Sequence, residues 1–389
     1  MNISFIFSVG ARFLGVGVLV LSIALPSHAA MVFKHPGALS TNSELLFVKQ
    51  KIQSNTEPWA GEFKELKRVA VSGGNKFTYL NSKNDADANL AKVDGQKAYA
   101  NALAWHYTGE DIYAKQAIEI LNVWADFQGF NGGNDQDKLT AGWIGALLGP
   151  AAELMRGYAQ WNSADIAKLQ AMLKRAFYPQ LNTASNWNGN VDLTQIDAIM
   201  NIAVFNEDEA AFMLGIARLK QRIPAYFYLK SDGTVPSIDG DGGNYKKFWS
   251  NPEKWVDGLT QETCRDNNHH AQYGLASALH ATEVAWKQGV DLYTENTKRF
   301  TATMELMATQ LLTGDMQGVC SNNRTTKDLY ATWEIGYNHY HNRKNLSLPN
   351  TKKLLHEKVR KNSRSDWNIF YETLTHNLDM PSQLKALDR

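Results

Sequence analysis

Three short stretches gather side chains able to move a proton beside an anion: "NWNGN" at 186–190, "ETCRDNNHHAQY" at 262–273 and "NNRTTKDLY" at 322–330. Asn and Arg donate hydrogen bonds to a carboxylate, His and Tyr exchange protons, and a protonated Glu can share one. That set suits β-elimination next to a sugar carboxylate. The carboxylate is neutralised, the adjacent C5 proton becomes acidic, a base removes it, and an acid protonates the departing C4 oxygen. Cys264 and Cys320 are the only cysteines. If bonded, they bring the second and third stretches together, because bridged Cα atoms lie within about 7 Å.

Other chemistries fit less well. His269, His270 and His280, and His339 with His341 in "GYNHYHNR", form no HExxH pattern, so no metal is expected. "DGDGGN" at 239–244 opens like a calcium loop, but the sixth position is Asn244 rather than glycine and the twelfth is Ser250 rather than glutamate. No GxSxG marks a serine nucleophile. A carboxylate pair for glycoside hydrolysis stands as the competing reading, with Asp239, Asp241, Glu262 and Asp266 in or near loops. A third reading is a binding protein without turnover.

The elements that must position these residues read as helices. "AYANALAWHYTGEDIYAKQAIEILNVWADF" carries apolar residues at helical spacing on both sides of a Thr-Gly-Glu turn, which makes a helix hairpin. Comparable pairs are expected at 139–160 with 163–177, at 190–205 with 207–228 and at 268–288 with 291–313. Polar, glycine-rich loops at 128–138, 182–190, 231–244 and 314–326 join them. Alternating β-branched runs are almost absent. The spacing predicts an all-α chain, an α/α toroid of antiparallel hairpins rather than a tetratricopeptide array, which would repeat every 34 residues, with a plain all-α bundle as the alternative.

Residues 1–30 read as a secretory leader, with an n-region ending at Arg12, an apolar run from Phe13 to Leu25 and the small-residue pattern Ser27-His28-Ala29. Residues 31–389 are then a single catalytic domain, periplasmic or secreted, with no membrane span once the leader is removed. In an oxidising compartment the two cysteines are expected as a disulfide, worth roughly 4 kcal/mol by loop-closure entropy. A formal net charge of +1 with no long basic run argues against nucleic acid.

Three passages carry a family resemblance. "FKHPGALSTNSELLFVKQKIQSNTEPW" resembles the opening of the alginate lyase superfamily of polysaccharide lyases, "ALAWHYTGEDIYAKQAIEILNVWADF" its second hairpin, and "RDNNHHAQYGLASALHATEVAWKQGVDLY" its central motif. The resemblance spans about residues 33 to 345. It implies an incomplete α/α toroid, no cofactor, an acidic polysaccharide as partner, a monomer or weak dimer, and β-elimination of a 1,4-linked uronan such as polymannuronate or glucuronan. Better-known members carry Asn-His where this chain reads "SNWNGN". The imidazole must then come from His269, a layout similar to polysaccharide lyase family 38.

Carried over by that resemblance, Asn188 binds the substrate carboxylate, with Asn186 as the competing choice. His269 is base or neutraliser, and Glu262 orients it or shares a proton with the substrate. Arg324 and Tyr330 resemble the arginine and tyrosine that complete the site, Tyr330 transferring the proton and Arg324 favouring its phenolate, since an unperturbed tyrosine pKa near 10 makes a poor base. Arg265 and Tyr273 are the rival pair. Trp143, Trp187 and Trp249 are candidate sugar platforms. In β-linked mannuronate or glucuronate the C5 hydrogen and C4 oxygen share a face, so one tyrosine can serve as both base and acid.

Overall fold

Small polar residues start most of the long helices and glycines end several. The computed structural model describes residues 30–237, 248–362 and 365–385. Helix α1 (Asn42–Gln53) begins at Thr41, whose side chain and that of Glu44 form a capping box, and is followed by α2 (Trp59–Val69). Helix α3 (Asp85–Thr108) starts at Asn84, which caps Ala86 and Asp87, and stops at left-handed Gly109, directly before α4 (Asp111–Trp124). Then come α5 (Asp135–Met155), α6 (Ser163–Met172), a π turn at Leu173–Phe177 and α7 (Tyr178–Leu181). The pair α8 (Gly189–Asn206) and α9 (Glu209–Tyr226) precedes α10 (His269–Lys287) and α11 (Tyr293–Thr313). The expected hairpins are present with ends shifted by a few residues. The sheet content among the described residues is one parallel pair of two-residue strands, Tyr79–Leu80 with Gly129–Phe130.

Helices α3, α5, α8 and α10 pack in succession as an inner arc, with α4 against α3 and α9 against α8 on the outside. Every residue of α8 is buried, as is the run Ala271–Ala285 of α10, which is why these helices read as apolar on all faces. Close approach of α5 to α8 depends on a stripe of glycines. A Cβ on Gly142 would lie 2.8 Å from the Thr194 side chain, and one on Gly149 would lie 3.0 Å from Asn201. This is the incomplete α/α toroid, an all-α fold whose inner helices leave their N-terminal ends to loops.

Buried polar links fix those ends. Asp192 in the first turn of α8 accepts hydrogen bonds from Arg218 and, at 2.8 Å, from Arg222 of α9. On the core side of α8, Asp197 accepts from Asn368 at 2.9 Å and contacts His280 of α10 at 3.1 Å, while His280 reaches Glu372 at 2.9 Å. The C-terminal segment is thereby tied to the two central helices. Phe33–Arg389 gathers into one compact unit. No described helix is long and apolar enough to cross a membrane. The expected leader, apart from Ala30, lies outside the described residues, as do Asp239, Asp241 and Asn244 of the calcium-like stretch.

Candidate active site

The N-termini of α8 and α10 each begin at an asparagine that declines its usual task. Asparagine at an N-cap normally accepts from a backbone N–H one turn in. Asn188 makes no such bond, and its Nδ2 donates instead to Glu262 Oε1 at 2.7 Å. Asn268, left-handed with φ 76°, likewise forgoes the cap and donates to Gln310 Oε1 at 2.8 Å, which ties the start of α10 to α11. Both helix starts are set by tertiary contacts.

Glu262 is the hub of the first of these. Its carboxylate accepts from Asn188 and, at 3.2 Å, from Arg265 Nη1 on one oxygen, and from the Tyr226 hydroxyl at 2.8 Å on the other. It is 0% exposed. Burial pushes its pKa up from the usual carboxylate value, against the opposing pull of Arg265, His270 and the Tyr226 hydroxyl. The expectation that Glu262 faces the substrate is therefore corrected: no atom of it reaches the surface, and its reach outward is through half-buried Asn188. Nor does it orient His269. Gln261 beside it accepts the Gly189 N–H at 2.6 Å, locking the "NWNGN" loop to the same strand of chain.

The second half of the site is held by covalent and backbone links. Cys264 and Cys320 form a disulfide with Cα atoms 5.3 Å apart. Thr326 N–H donates to the Asn267 carbonyl at 2.9 Å, and buried Gln272 donates to the Asp328 carbonyl at 3.1 Å while accepting the Tyr330 N–H at 3.2 Å. These bonds lay Tyr330 across the first turn of α10. Its hydroxyl stands 3.5 and 3.4 Å from the two nitrogens of His269. His269 Nδ1 is also 3.3 Å from the Asp328 carboxylate. Next to it His270 pairs with Asp266, whose pKa is lowered because that pairing outweighs the effect of burial.

Aromatic rings line this corner. Tyr273 lies 4.5 Å from Tyr330 and 3.7 Å from Trp367 between ring centroids. Trp367 stacks on Trp143 at 5.1 Å and 11°. It has φ 51°, a left-handed backbone that a bulky residue adopts only when its surroundings enforce it. Asn368, bonded to Asp197 and Ser277, and Asp366, paired with Lys92 at 2.9 Å, supply that enforcement. Trp367, Lys92 and Asp328 were not singled out from the sequence. Trp367 comes to His269 from almost a hundred residues along the chain, and its only sequence signal is an aromatic residue within the polar run "SRSDWN".

Other expected residues fall in different places. Arg324 is exposed, pairs in a backbone bridge with Asp315, and lines a cavity of about 610 Å³ with Lys327, Asp328, Lys358 and Lys361. No hydrogen bond or ion pair joins it to Tyr330 among the described residues, so the expected tuning pair is not formed. Trp249, 1% exposed, packs in a core cluster with Leu259, Val319 and Cys320 and is no sugar platform. Trp187 is 39% exposed, and Asn186 gives its backbone N–H to Asp135 at 2.6 Å. Arg265 is spent between Glu262 and Asp266. Among the described residues no group of three or more His, Cys, Asp or Glu is arranged to hold a metal ion.

Comparison with known proteins agrees with this architecture. The chain is similar to a variant of alginate lyase A1-III complexed with tetrasaccharide, at 14% identity over 87% of this chain and 97% of that one, with a TM-score of 0.63. Alginate lyase A1-III from Sphingomonas species A1 gives 14% identity over the same shares and a TM-score of 0.59. An alginate lyase from Bacteroides ovatus gives 12% identity over 89% and 100%, with a TM-score of 0.57. Likeness at these identities speaks for the fold. No curated protein sequence matches significantly. The family model described as alginate lyase matches residues 37–237, just over half of the 389 residues, and the chain therefore belongs to the alginate lyase family of polysaccharide lyases.

Proposed function

We propose that the protein cleaves a 1,4-linked uronan, polymannuronate or glucuronan, by syn β-elimination, leaving 4,5-unsaturated uronate ends. The observation that carries this reading is the contact of the Tyr330 hydroxyl with His269, on a corner covalently tied to the loop whose Glu262 holds Asn188. Asn188 spends one N–H on Glu262 and keeps the second for the sugar carboxylate. His269, backed by Asp328, supplies the positive charge that favours the Tyr330 phenolate. Tyr330, whose ring is buried in a cluster with Tyr273, Ala276 and Ile369, then takes the C5 proton through the hydroxyl that stands beside the partly exposed His269, and returns it to the C4 oxygen on the same face. Arg324, with Lys327 and Lys358 on the adjoining cavity wall, is left to the carboxylate of a neighbouring unit. Trp143 and Trp367 form a stacked pair beside the reacting sugar, and Trp187 offers an exposed ring at the loop edge. The hydrolase reading loses ground because Glu262 and Asp266 are both engaged in ion pairs. Removal of a leader over residues 1–30 would release the enzyme to the periplasm or medium.

Incubation with polymannuronate, glucuronan, alginate and hyaluronan tests the reaction, since each elimination creates a double bond that absorbs in the ultraviolet. Shortened chains without that absorbance would mean hydrolysis. Tyr330→Phe keeps the ring in its packing, where Tyr330 is 1% exposed, and removes the proton carrier. It should lower kcat by about 10²–10⁴-fold with the melting curve nearly unchanged. An active Tyr330→Phe beside a dead Tyr273→Phe would move the role to Tyr273.

A further inference from the structure

Helix α10 has chemistry at both ends. His269 opens it, and Trp286 lies 17 residues on, about 26 Å along the axis at 1.5 Å per residue. Around that far end is a cavity of about 620 Å³, within the usual range of roughly 300–1,000 Å³ for small-molecule sites. Its wall includes Lys34, Glu44, Trp286, Lys287, Arg343 and Lys344.

The charges here divide into a neutral foundation and a rim that carries two exposed lysines. Lys287 and Arg343 face Glu44 and Glu283: Lys287 contacts both, with Glu283 at 2.8 Å, and Arg343 Nη2 reaches Glu283 at 2.7 Å and Glu44 at 3.1 Å. Two carboxylates thus offset two cations. Lys34 and Lys344 are exposed and have no carboxylate within ion-pair distance among the described residues, although the Lys344 charge is near enough to Asp291 to help lower its pKa. Lys344 Nζ is held 5.4 Å from the centroid of the half-buried Trp286 ring. Arg343 Cζ lies 5.8 Å from the same ring centroid, and an indole wall in a cavity that also carries two exposed ammonium groups suits a ligand that has both an apolar ring face and a negative charge. A lone inorganic anion would use only the charge and little of the volume.

We propose that this cavity is a non-catalytic site for a short acidic oligosaccharide, which anchors the uronan chain at a distance from the cleft. The identity of the sugar rests on the function proposed above; the cavity and its charge do not. Anchoring raises the effective concentration of polymer at the cleft and leaves short substrates unaffected.

The test uses the full chain. With turnover blocked by Tyr330→Phe, titration with hexamannuronate and hexaglucuronate in a calorimeter should show two sites per chain, and adding Lys34→Glu with Lys344→Glu should leave one. Both lysines are exposed, so the reversal spares the core; Lys34→Ala with Lys344→Ala is the milder pair if it does not. In the active enzyme the reversal should raise KM for polymer at least several-fold and leave kcat/KM for a trimer unchanged. A single site insensitive to both pairs, with polymer KM unmoved, overturns the proposal even if cleavage proceeds. Oligosaccharide binding that the reversal abolishes, in a chain that cleaves no uronan, would uphold the cavity and refute the proposed activity.

Discussion

Replacing Glu262 separates a positioning role from a merely structural one. In Glu262→Ala, Asn188 loses its partner at 2.7 Å and can turn back to cap α8, as asparagine ordinarily does. The substrate carboxylate then loses a hydrogen bond to a charged group worth about 1.5–3 kcal/mol, or roughly 10- to 150-fold in kcat/KM at 1.36 kcal/mol per decade. Stability should fall as well, by roughly 3 kcal/mol or more, because a cavity opens and the buried Tyr226 hydroxyl is left unpaired. Glu262→Gln is the rescue. Its carbonyl can keep Asn188 and Arg265, and the Tyr226 hydroxyl can reverse to accept from the new amide. Burial already disfavours the Glu262 charge, so the glutamine should fold within about 1 kcal/mol of wild type. Initial rates of ultraviolet absorbance on the cleaved uronan, with urea unfolding in parallel, measure both effects. A folded Glu262→Ala enzyme with kcat/KM within twofold of wild type, or a Glu262→Gln enzyme as impaired as the alanine variant, would refute the reasoning.

Two further outcomes follow from the same region and from the core. Gly274→Ala would place a Cβ 2.0 Å from the Tyr226 hydroxyl, forcing the ring off Glu262; the overpacking and the lost bond together should lower stability by roughly 3–5 kcal/mol in urea unfolding, more than Tyr226→Phe does, and equal losses would contradict this account. Burial pushes the His339 pKa down to about 3 and lowers those of His106 and His376. A folded pKa below the unfolded value near 6.5 means the unfolded chain takes the proton first, so this stability is complete above about pH 6.5 and is lost as pH falls. His339 alone should remove about 2 kcal/mol between pH 6.5 and 5, read as the difference between wild-type and His339→Gln unfolding free energies because Glu62, pushed up to about 7 by burial, titrates with the opposite sign over the same interval; a difference that stays constant there would contradict it.

Much of the architecture was legible in the residues because it depends on local rules. Periodicity at 3.6 residues marked the hairpins, the Thr-Gly-Glu turn marked the end of α3, and the two cysteines, read with the expected leader, pointed to the bond that joins the loops bearing His269 and Tyr330. What the local rules could not decide was side-chain direction. Asn188 and Asn268 stand where an N-cap belongs, and only the packing of Glu262 and Gln310 against them turns their amides away from the helix. Arg324 follows the disulfide as expected, yet the Asp315 bridge leaves its side chain exposed beside Lys358. Trp367 joins the site because Asn368 reaches Asp197 across the buried core, 171 residues away. Spacing along a chain reports which residues share a helix face. Which of them meet across helices is set by burial and by partners distant in sequence, and for this site the tertiary structure alone decided it.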